Sequence, residues 1–172
     1  SIGSPHLSRA RPATLGEAVQ HAADVLAPLA ARNQVHLEVE VTPPAAVQPA
    51  GGLYTVVLNG LQNAIEAVSR RGGPGHVKVT ARADAAPAGV GYGRDSRSWF
   101  QIEITDDGVG APPDLSRVFD LGYSTKHNGA GVGLAVARGV VQGMGGMIEL
   151  KSRLSGGCAL VVRNTVRRAQ ET

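Results

Sequence analysis

The chain has one cysteine, few aromatic residues and no long apolar run. The single thiol, Cys158, excludes an intrachain disulfide and is typical of a reducing compartment. Aromatic side chains make up 3% of the residues, and adjacent arginines occur only at Arg70-Arg71 and Arg167-Arg168, so no nucleic-acid-binding surface is expected. Because no run reaches the length of a membrane span, we expect a cytoplasmic domain without membrane contact of its own, whether or not its parent protein is anchored.

Neither sign of charge dominates the sequence. Seventeen lysines and arginines stand against 14 aspartates and glutamates, which gives a net charge of +3. Hydrophobic residues make up 42% of the 172 residues, enough for one folded domain with a substantial core. Residues 1–13 are irregular and open without methionine. We expect them to be a linker or tag remnant on an excised fragment, and residues 14–172 to form the domain.

Apolar periodicity predicts both helices and strands. Thr14 and Glu17 have the spacing of a capping box at the start of a helix. The apolar face predicted for that helix comprises Leu15, Ala18, Val19, Ala22, Val25, Leu26 and Leu29. Further helices are expected at residues 51–70, which end at Gly72-Gly73, and at residues 131–143. Strands are expected at residues 35–41, 77–80, 99–105, 147–153 and 157–165.

These elements predict the α+β class. We expect a two-layer α/β sandwich with a mixed, mostly antiparallel sheet and helices on one face. Two glycine-rich stretches interrupt the pattern. Residues 84–98 are expected to be a mobile loop. Residues 108–133 hold six glycines, and because irregular stretches of this length are usually functional, we predict a lid over a binding site.

Two asparagines lie four residues apart in the second predicted helix, so their side chains project from the same face. The carboxamides of Asn59 and Asn63 are neutral, and each combines an acceptor oxygen with two N–H donors. Such a pair suits a site for a metal ion and phosphate oxygens, although two asparagines alone more often form a solvated helix face. The glycine-rich segments that follow favour the site.

The first of these segments is Asp106-Asp107-Gly108-Val109-Gly110, directly after the third predicted strand. A carboxylate at a strand end can accept a hydrogen bond from the exocyclic amine of a base, and glycines let the ring approach the backbone. By itself, the pattern is more often an ordinary turn.

The second segment places Gly129, Gly131 and Gly133 before the last predicted helix. Glycines expose N–H groups and a helix N-terminus attracts anions, so this segment predicts a phosphate cradle. It follows the predicted lid instead of a first strand, which argues against a dinucleotide-binding fold. It also lacks the Gly-Lys-Ser/Thr sequence of a P-loop.

The order of these segments resembles the GHKL ATPases, the family with the Bergerat nucleotide-binding fold. The resemblance covers residues 35–166 and depends on four segments in sequence. These are an N box at 53–67, a first glycine box at 106–110, an F-box-like segment at 118–126 and a second glycine box at 129–134. A weaker fifth match is Gly156-Gly157-Cys158.

Within this family, the residue four positions before the metal-binding asparagine separates the branches. The gyrase, mismatch-repair and heat-shock chaperone branches have a glutamate there as general base, and anti-sigma serine kinases commonly do too. This chain has Asn59, as sensor histidine kinases do, and a carboxamide cannot accept a proton near neutral pH. The resemblance therefore implies a histidine kinase catalytic domain that uses ATP and Mg²⁺.

The phosphoacceptor histidine is expected outside this chain. None of His6, His21, His36, His76 and His127 is directly followed by an acidic residue on a long predicted helix. The resemblance thus implies transfer of the γ-phosphoryl group to the dimerisation and phosphoacceptor domain of the same parent protein, and indirectly to a response regulator.

The resemblance also implies roles for individual residues. Asn63 would coordinate Mg²⁺ and Asn59 would support that shell. Asp106 would bind the adenine amino group, with Gly108 and Gly110 shaping the pocket. The other expected ATP-binding residues are Thr125, Lys126, Gly129, Gly131, Val132, Gly133 and Leu134, and Lys126 joins Asn59 and Asn63 in the expected catalytic set.

Three departures from the family pattern leave alternatives open. Cys158 replaces a common threonine whose hydroxyl supports the adenine-binding aspartate, Glu66 adds negative charge near the expected phosphates, and Gly51-Gly52 stands where an acidic residue is common. One alternative is a pseudokinase module that binds partners without nucleotide. The other is a GHKL ATPase or serine kinase.

Overall fold

The computed structural model describes residues 11–84, 98–110 and 133–166. Each predicted helix and strand is found within these ranges, with its ends shifted by a few residues. The helices are Leu15–Arg32 (α1), Pro43–Ala46 (α2), Leu53–Arg71 (α3) and Gly133–Gly143 (α4). The strands are Val35–Val41 (β1), Gly75–Asp84 (β2), Trp99–Asp106 (β3), Met147–Ser152 (β4) and Cys158–Thr165 (β5).

The short helix α2 is an element that periodicity did not predict. Pro43-Pro44 ends β1, as expected, but the same two residues also begin this single turn. Proline fits the first turn of a helix because its missing N–H is one that has no partner there anyway. The predicted loop at 84–98 and lid at 108–133 lie mostly outside the described residues. Across the described ranges, no helix has both the length and the apolar character needed to cross a bilayer.

The five strands form one sheet in the order β1-β2-β3-β5-β4. β1 and β2 run parallel, and the other neighbouring pairs are antiparallel. Helices α1, α3 and α4 pack with one face of this sheet around a shared core, in which Leu15, Leu61 and Ile102 are almost completely buried. The predicted two-layer α+β sandwich is therefore confirmed.

Helix α1 begins with the predicted capping box. The Thr14 hydroxyl accepts a hydrogen bond from the Glu17 amide at 3.2 Å, and the Glu17 carboxylate accepts one from the Thr14 amide at 3.2 Å. The predicted apolar face was wrong at Val25, which is 51% exposed. The buried stripe steps by four from Ala22 to Leu26, and this turns Val25 toward solvent.

Helix α3 lies very close to the sheet at Gly60. A Cβ atom there would be 2.6 Å from Ile104 Cδ1 and 3.0 Å from Leu160 Cδ2, so a larger residue would require these side chains or the helix to shift. The predicted apolar stripe is buried throughout, at Val57, Leu61, Ala64, Ile65 and Val68. The helix ends at Gly72, whose φ of 85° is one that glycine adopts readily. This packing fixes the polar face of α3 relative to β3 and α4.

Candidate functional site

The polar face of α3 lies against the first residue of α4. The Asn59 side-chain amide donates a hydrogen bond to the Gly133 carbonyl oxygen at 3.3 Å. A Cβ atom on Gly133 would lie 3.7 Å from Asn59 Cγ and 3.8 Å from Asn63 Nδ2. The structure therefore brings both asparagines together with the end of the second glycine box, as the sequence predicts.

One turn further along α3, Ala67 lies against the first glycine box. A Cβ atom on Gly108 would be 2.5 Å from the Ala67 carbonyl carbon and 2.7 Å from its oxygen, so only glycine fits without a shift of the backbone. The Val109 amide donates a hydrogen bond to the same oxygen at 3.3 Å. Because Asn59, Asn63 and Ala67 are four residues apart, a single helix face joins the two glycine boxes.

Asp106, at the end of β3, is a buried carboxyl with only 5% exposure. Its Oδ1 atom accepts hydrogen bonds from the Gly108 amide at 2.9 Å and the Cys158 amide at 3.4 Å. Burial raises the pKa of Asp106, although the two amides and the charge of Arg153 act in the opposite direction. The fold thus presents a desolvated carboxyl group next to glycine-rich backbone, the arrangement expected for recognition of a base.

The turn between β4 and β5 covers the backbone of Asp106. Arg153 Nη1 donates a hydrogen bond to the Asp106 carbonyl oxygen at 2.8 Å. Gly157, with φ of 81°, packs so closely that a Cβ atom there would overlap this carbonyl oxygen. Gly156-Gly157 is only a weak signal in the sequence. Arg153 gives no signal, because only the pairing of the strands brings Arg153 to Asp106.

Cys158 supports Asp106 through its main chain. Cysteine lacks the threonine hydroxyl, and on that ground Asp106 is expected to lose a supporting side chain. The donor found here is the main-chain N–H of Cys158, which does not depend on the side chain. Burial, reinforced by the nearby Asp106 charge, raises the pKa of the Cys158 thiol to about 11, against a smaller opposite effect of Arg70. The thiol is therefore neutral at physiological pH and poorly reactive.

Asp107 links the first glycine box to the start of β2. Its carboxylate accepts hydrogen bonds from the His76 amide at 2.8 Å and lies 3.1 Å from His76 Nδ1 and 3.6 Å from an Arg71 guanidinium nitrogen. Partial burial acts to raise the pKa of Asp107, but the His76 amide, the His76 ring and Arg71 together outweigh it and lower that pKa. The pKa values of the neighbouring carboxyls Asp106 and Asp107 are therefore shifted in opposite directions.

The remaining predicted site residues divide into two groups. Gly110 has φ of 89° at the end of a described segment, and Leu134 packs against the core from α4. The second group lies outside the described residues and comprises Thr125, Lys126, Gly129, Gly131 and Val132.

The Gly51-Gly52 departure has a packing explanation. Gly52 is the N-cap of α3, and a Cβ atom there would lie 2.6 Å from Val140 Cγ1 on α4. An acidic side chain would therefore meet α4 in this chain.

Glu66 is half-buried on α3, and its effect on phosphates stays a prediction.

The donor chemistry of this site fits Mg²⁺ bound together with a nucleotide. Carboxamide oxygens are hard ligands of the kind that Mg²⁺ accepts, and protein sites for Mg²⁺ commonly leave several positions to water and substrate phosphates. Among the described residues, no group of three or more His, Cys, Asp or Glu side chains could hold a metal ion unaided. The half-buried carboxamides of Asn59 and Asn63 suit such a shared shell better than a closed metal cage.

Residues 49–168 match the family described as histidine kinase-, DNA gyrase B- and HSP90-like ATPases. The match covers more than half of the sequence, and the chain belongs to this family. Among curated proteins, it is 37% identical over 131 residues to the signal transduction histidine-protein kinase/phosphatase MprB of Mycolicibacterium paratuberculosis. That alignment covers 73% of the chain but 22% of MprB, so the chain spans well under half of its relative.

Solved structures show the same fold. The mycobacterial sensor histidine kinase MprB aligns with a TM-score of 0.64 and 25% identity over 91% of this chain and 97% of that one. Full-length ShkA, in complex with AMPPNP, aligns with a TM-score of 0.70 and 23% identity over 92% of this chain and 32% of that one. The predicted resemblance to a GHKL catalytic domain of the sensor histidine kinase type is confirmed.

Proposed function

We propose that this domain binds Mg·ATP and donates the γ-phosphoryl group to a histidine on a separate dimerisation and phosphoacceptor domain of its parent protein, in two-component signalling. The observation that carries the proposal is the single face of α3 along which Asn59, Asn63 and Ala67 contact both glycine boxes. It links the proposed phosphate end of the site to the proposed adenine end through one rigid helix.

At the adenine end, Asp106 is the proposed hydrogen-bond acceptor for the exocyclic amine. In the described part of the chain, the two hydrogen bonds shown to its carboxylate both fall on Oδ1. Oδ2 is then the atom proposed to accept from the base. Gly108 and Gly110 shape the pocket, and the same fold in ShkA was solved with AMPPNP.

At the phosphate end, Asn63 is the proposed Mg²⁺ ligand and Asn59 supports it. The Gly133 backbone adjoins both carboxamides, which suits a phosphate cradle at the N-terminus of α4. Lys126, Thr125 and the glycines of the second box complete the proposed phosphate contacts. Bound Mg²⁺ would neutralise charge on the phosphates, and phosphoryl transfer depends mainly on such positioning and neutralisation.

A kinase is favoured over a hydrolase by the chemistry of Asn59. Its carboxamide is a hydrogen-bond donor to Gly133 and has no proton-accepting capacity near neutral pH, so it cannot activate water as a general base. ATP bound here is therefore expected to hydrolyse slowly and to await an external acceptor.

The described histidines also favour an acceptor elsewhere. His21 stacks on Tyr54 with ring centroids 5.2 Å apart, and His76 is held by Asp107. None of the three described histidines, His36 on β1 included, is directly followed by an acidic residue on a helix, as a phosphoacceptor histidine would be. The acceptor domain, and indirectly a response regulator, are the proposed partners.

Isothermal titration calorimetry with a non-hydrolysable ATP analogue tests the proposal. Asp106→Asn is expected to abolish binding with or without Mg²⁺, because a carboxamide replaces the acceptor carboxylate. Asn63→Ala is expected to weaken binding chiefly when Mg²⁺ is present. Gln62→Ala, at an exposed neighbouring position on α3, is the control and should match the parent chain. Unchanged affinity of Asp106→Asn would refute the assignment.

Two further measurements separate the alternatives. Phosphate release by the isolated domain that disappears in Asn59→Ala would indicate a hydrolase instead of a kinase. A ligand that binds only the folded state stabilises it more as its concentration rises above Kd, and the melting temperature rises with it. No such rise at a high concentration of the ATP analogue would indicate a pseudokinase module.

A further inference from the structure

We propose that Arg153 is a positioning residue for nucleotide recognition, whose guanidinium fixes the main chain of Asp106 and so holds its carboxylate in place for the base. The inference rests on the proposed function, because it assigns a second layer to the adenine end of the same site. Arg153 lies in the turn between β4 and β5 and is not among the residues that the sequence predicts for the site.

Asp106 lies at the point where the pairing between β3 and β5 ends. The last residue pair between these strands is Thr105 with Ala159, so Asp106 lies just beyond their ladder. There, its carbonyl oxygen accepts a hydrogen bond from Arg153 Nη1 at 2.8 Å, while its Oδ1 accepts one from the Cys158 amide at 3.4 Å. Arg153 and Cys158 therefore hold the main chain and the side chain of Asp106 separately.

The turn itself restrains Arg153. Its main-chain amide donates to the Gly157 carbonyl oxygen at 3.0 Å, and its carbonyl oxygen accepts from the Gly156 amide at 3.1 Å. Gly156 and Gly157 have φ values of 99° and 81°, which side chains rarely tolerate. Because Gly157 also packs directly on the Asp106 carbonyl, the tight turn and the guanidinium hydrogen bond act on the same atom.

The charge of Arg153 also acts on the Asp106 carboxyl. Among the described residues, the charged or titratable groups around the Asp106 carboxyl are Arg153 from the turn, Asp107 from its own segment and the Cys158 thiol from β5, with Arg70 of α3 close to that thiol. Burial and Asp107 raise the pKa of Asp106, whereas Arg153 lowers it. Arg153 thereby keeps more of the carboxyl in the ionised form that accepts a hydrogen bond from the base.

The test compares Arg153→Met and Arg153→Lys with Lys151→Met as the control. Lys151 lies two residues earlier and pairs with Glu149 at 3.3 Å. Carbon-13 NMR of the Asp106 carboxyl gives its titration midpoint without nucleotide, and calorimetry gives affinity for an ATP analogue from mildly acid to neutral pH. Arg153→Met should raise the midpoint and weaken binding about tenfold, as expected for loss of a hydrogen bond to a charged group. The binding defect should grow as pH falls.

The charge-preserving Arg153→Lys should keep the midpoint near that of the parent chain, and Lys151→Met should change neither quantity. If Arg153→Met does not fold, Arg153→Gln makes the same comparison with a neutral donor. A parent chain that binds the analogue, beside an Arg153→Met variant with unchanged midpoint and affinity, overturns the role of Arg153 alone. A parent chain that binds no analogue overturns the proposed function. The titration midpoint of Asp106 then decides whether Arg153 acts on this carboxyl: a higher midpoint in Arg153→Met supports that role, and an unchanged midpoint overturns it.

Discussion

The Asn59 side-chain amide donates a hydrogen bond across 3.3 Å to the carbonyl oxygen of Gly133, 74 positions further along the chain. By the family resemblance, Asn59 is the residue expected to distinguish the kinase-like branch from glutamate-containing relatives. In this fold it also joins the polar face of α3 to the start of α4, where the second glycine box ends. Asn59 therefore has a structural role in addition to the one proposed for it in the nucleotide site.

Replacing Asn59 with alanine is expected to destabilise the domain and weaken nucleotide binding together. Loss of one partly buried hydrogen bond should lower the free energy of unfolding by about 1 kcal/mol. Urea denaturation measures this change, and calorimetry with an ATP analogue measures the affinity. Gln62→Ala, at an exposed position on the same helix, is expected to change neither. Equal stability of the two variants would contradict the structural role of Asn59.

Gly108→Ala is expected to disrupt the contact between the first glycine box and α3. The added Cβ would lie 2.5 Å from the Ala67 carbonyl carbon, and because this neighbour is helix backbone, it cannot move aside cheaply. We expect a loss of roughly 1–3 kcal/mol in the free energy of unfolding, as for other overpacked sites.

Gly139→Ala is the matched control for this substitution. Gly139 is exposed on α4 and has no atom within 4 Å of an added Cβ, so alanine there should stabilise the helix by roughly 0.5–1 kcal/mol. Chemical denaturation of both variants checks the pair. A Gly108→Ala variant as stable as Gly139→Ala would show that the first glycine box does not need to approach α3 so closely.

Much of the fold could be predicted because its signals are local. The apolar stripe from Val57 to Val68 marks the buried face of α3, and the capping box at Thr14 marks the start of α1. A candidate site could be proposed for a similar reason, since the glycines of the two boxes and the asparagines at 59 and 63 have a recognisable spacing in the sequence. Their roles came from the family resemblance, which the fold comparison supports only at the level of the domain.

What could not be predicted depends on contacts between distant segments. The donation from Arg153 to Asp106 exists because β5 pairs with both β3 and β4, and no spacing in the sequence records that pairing. The sequence predicts Val25 on the apolar face of α1 because this residue is hydrophobic and suitably spaced. The direction in which the buried stripe of α1 drifts depends on its packing with α3, and this leaves Val25 in solvent.

Asp107→Asn is expected to lower stability at neutral pH and to have little effect in acid. The pKa of Asp107 is lowered in the folded chain, against the effect of partial burial, by the His76 amide and ring and by Arg71. An acid with a lowered folded pKa contributes stability above its ordinary pKa, and that contribution is lost as the pH falls through the folded pKa. Since the side chain is 35% exposed, the difference at neutral pH should not exceed about 1 kcal/mol.

The adjacent Asp106→Asn provides a comparison of opposite sign. Burial raises the pKa of Asp106, so the folded chain binds its proton more tightly than the unfolded chain does. Its ionisation therefore reduces stability as the pH rises from the ordinary aspartate pKa through the folded pKa. Asparagine still offers Oδ1 to the Gly108 and Cys158 amides, so this variant should be more stable than the parent chain at neutral pH, with the gain fading in acid.

Urea denaturation of both variants over a pH series measures the two trends. Parallel curves for Asp106→Asn and Asp107→Asn would contradict the opposite environments of these neighbouring carboxyls.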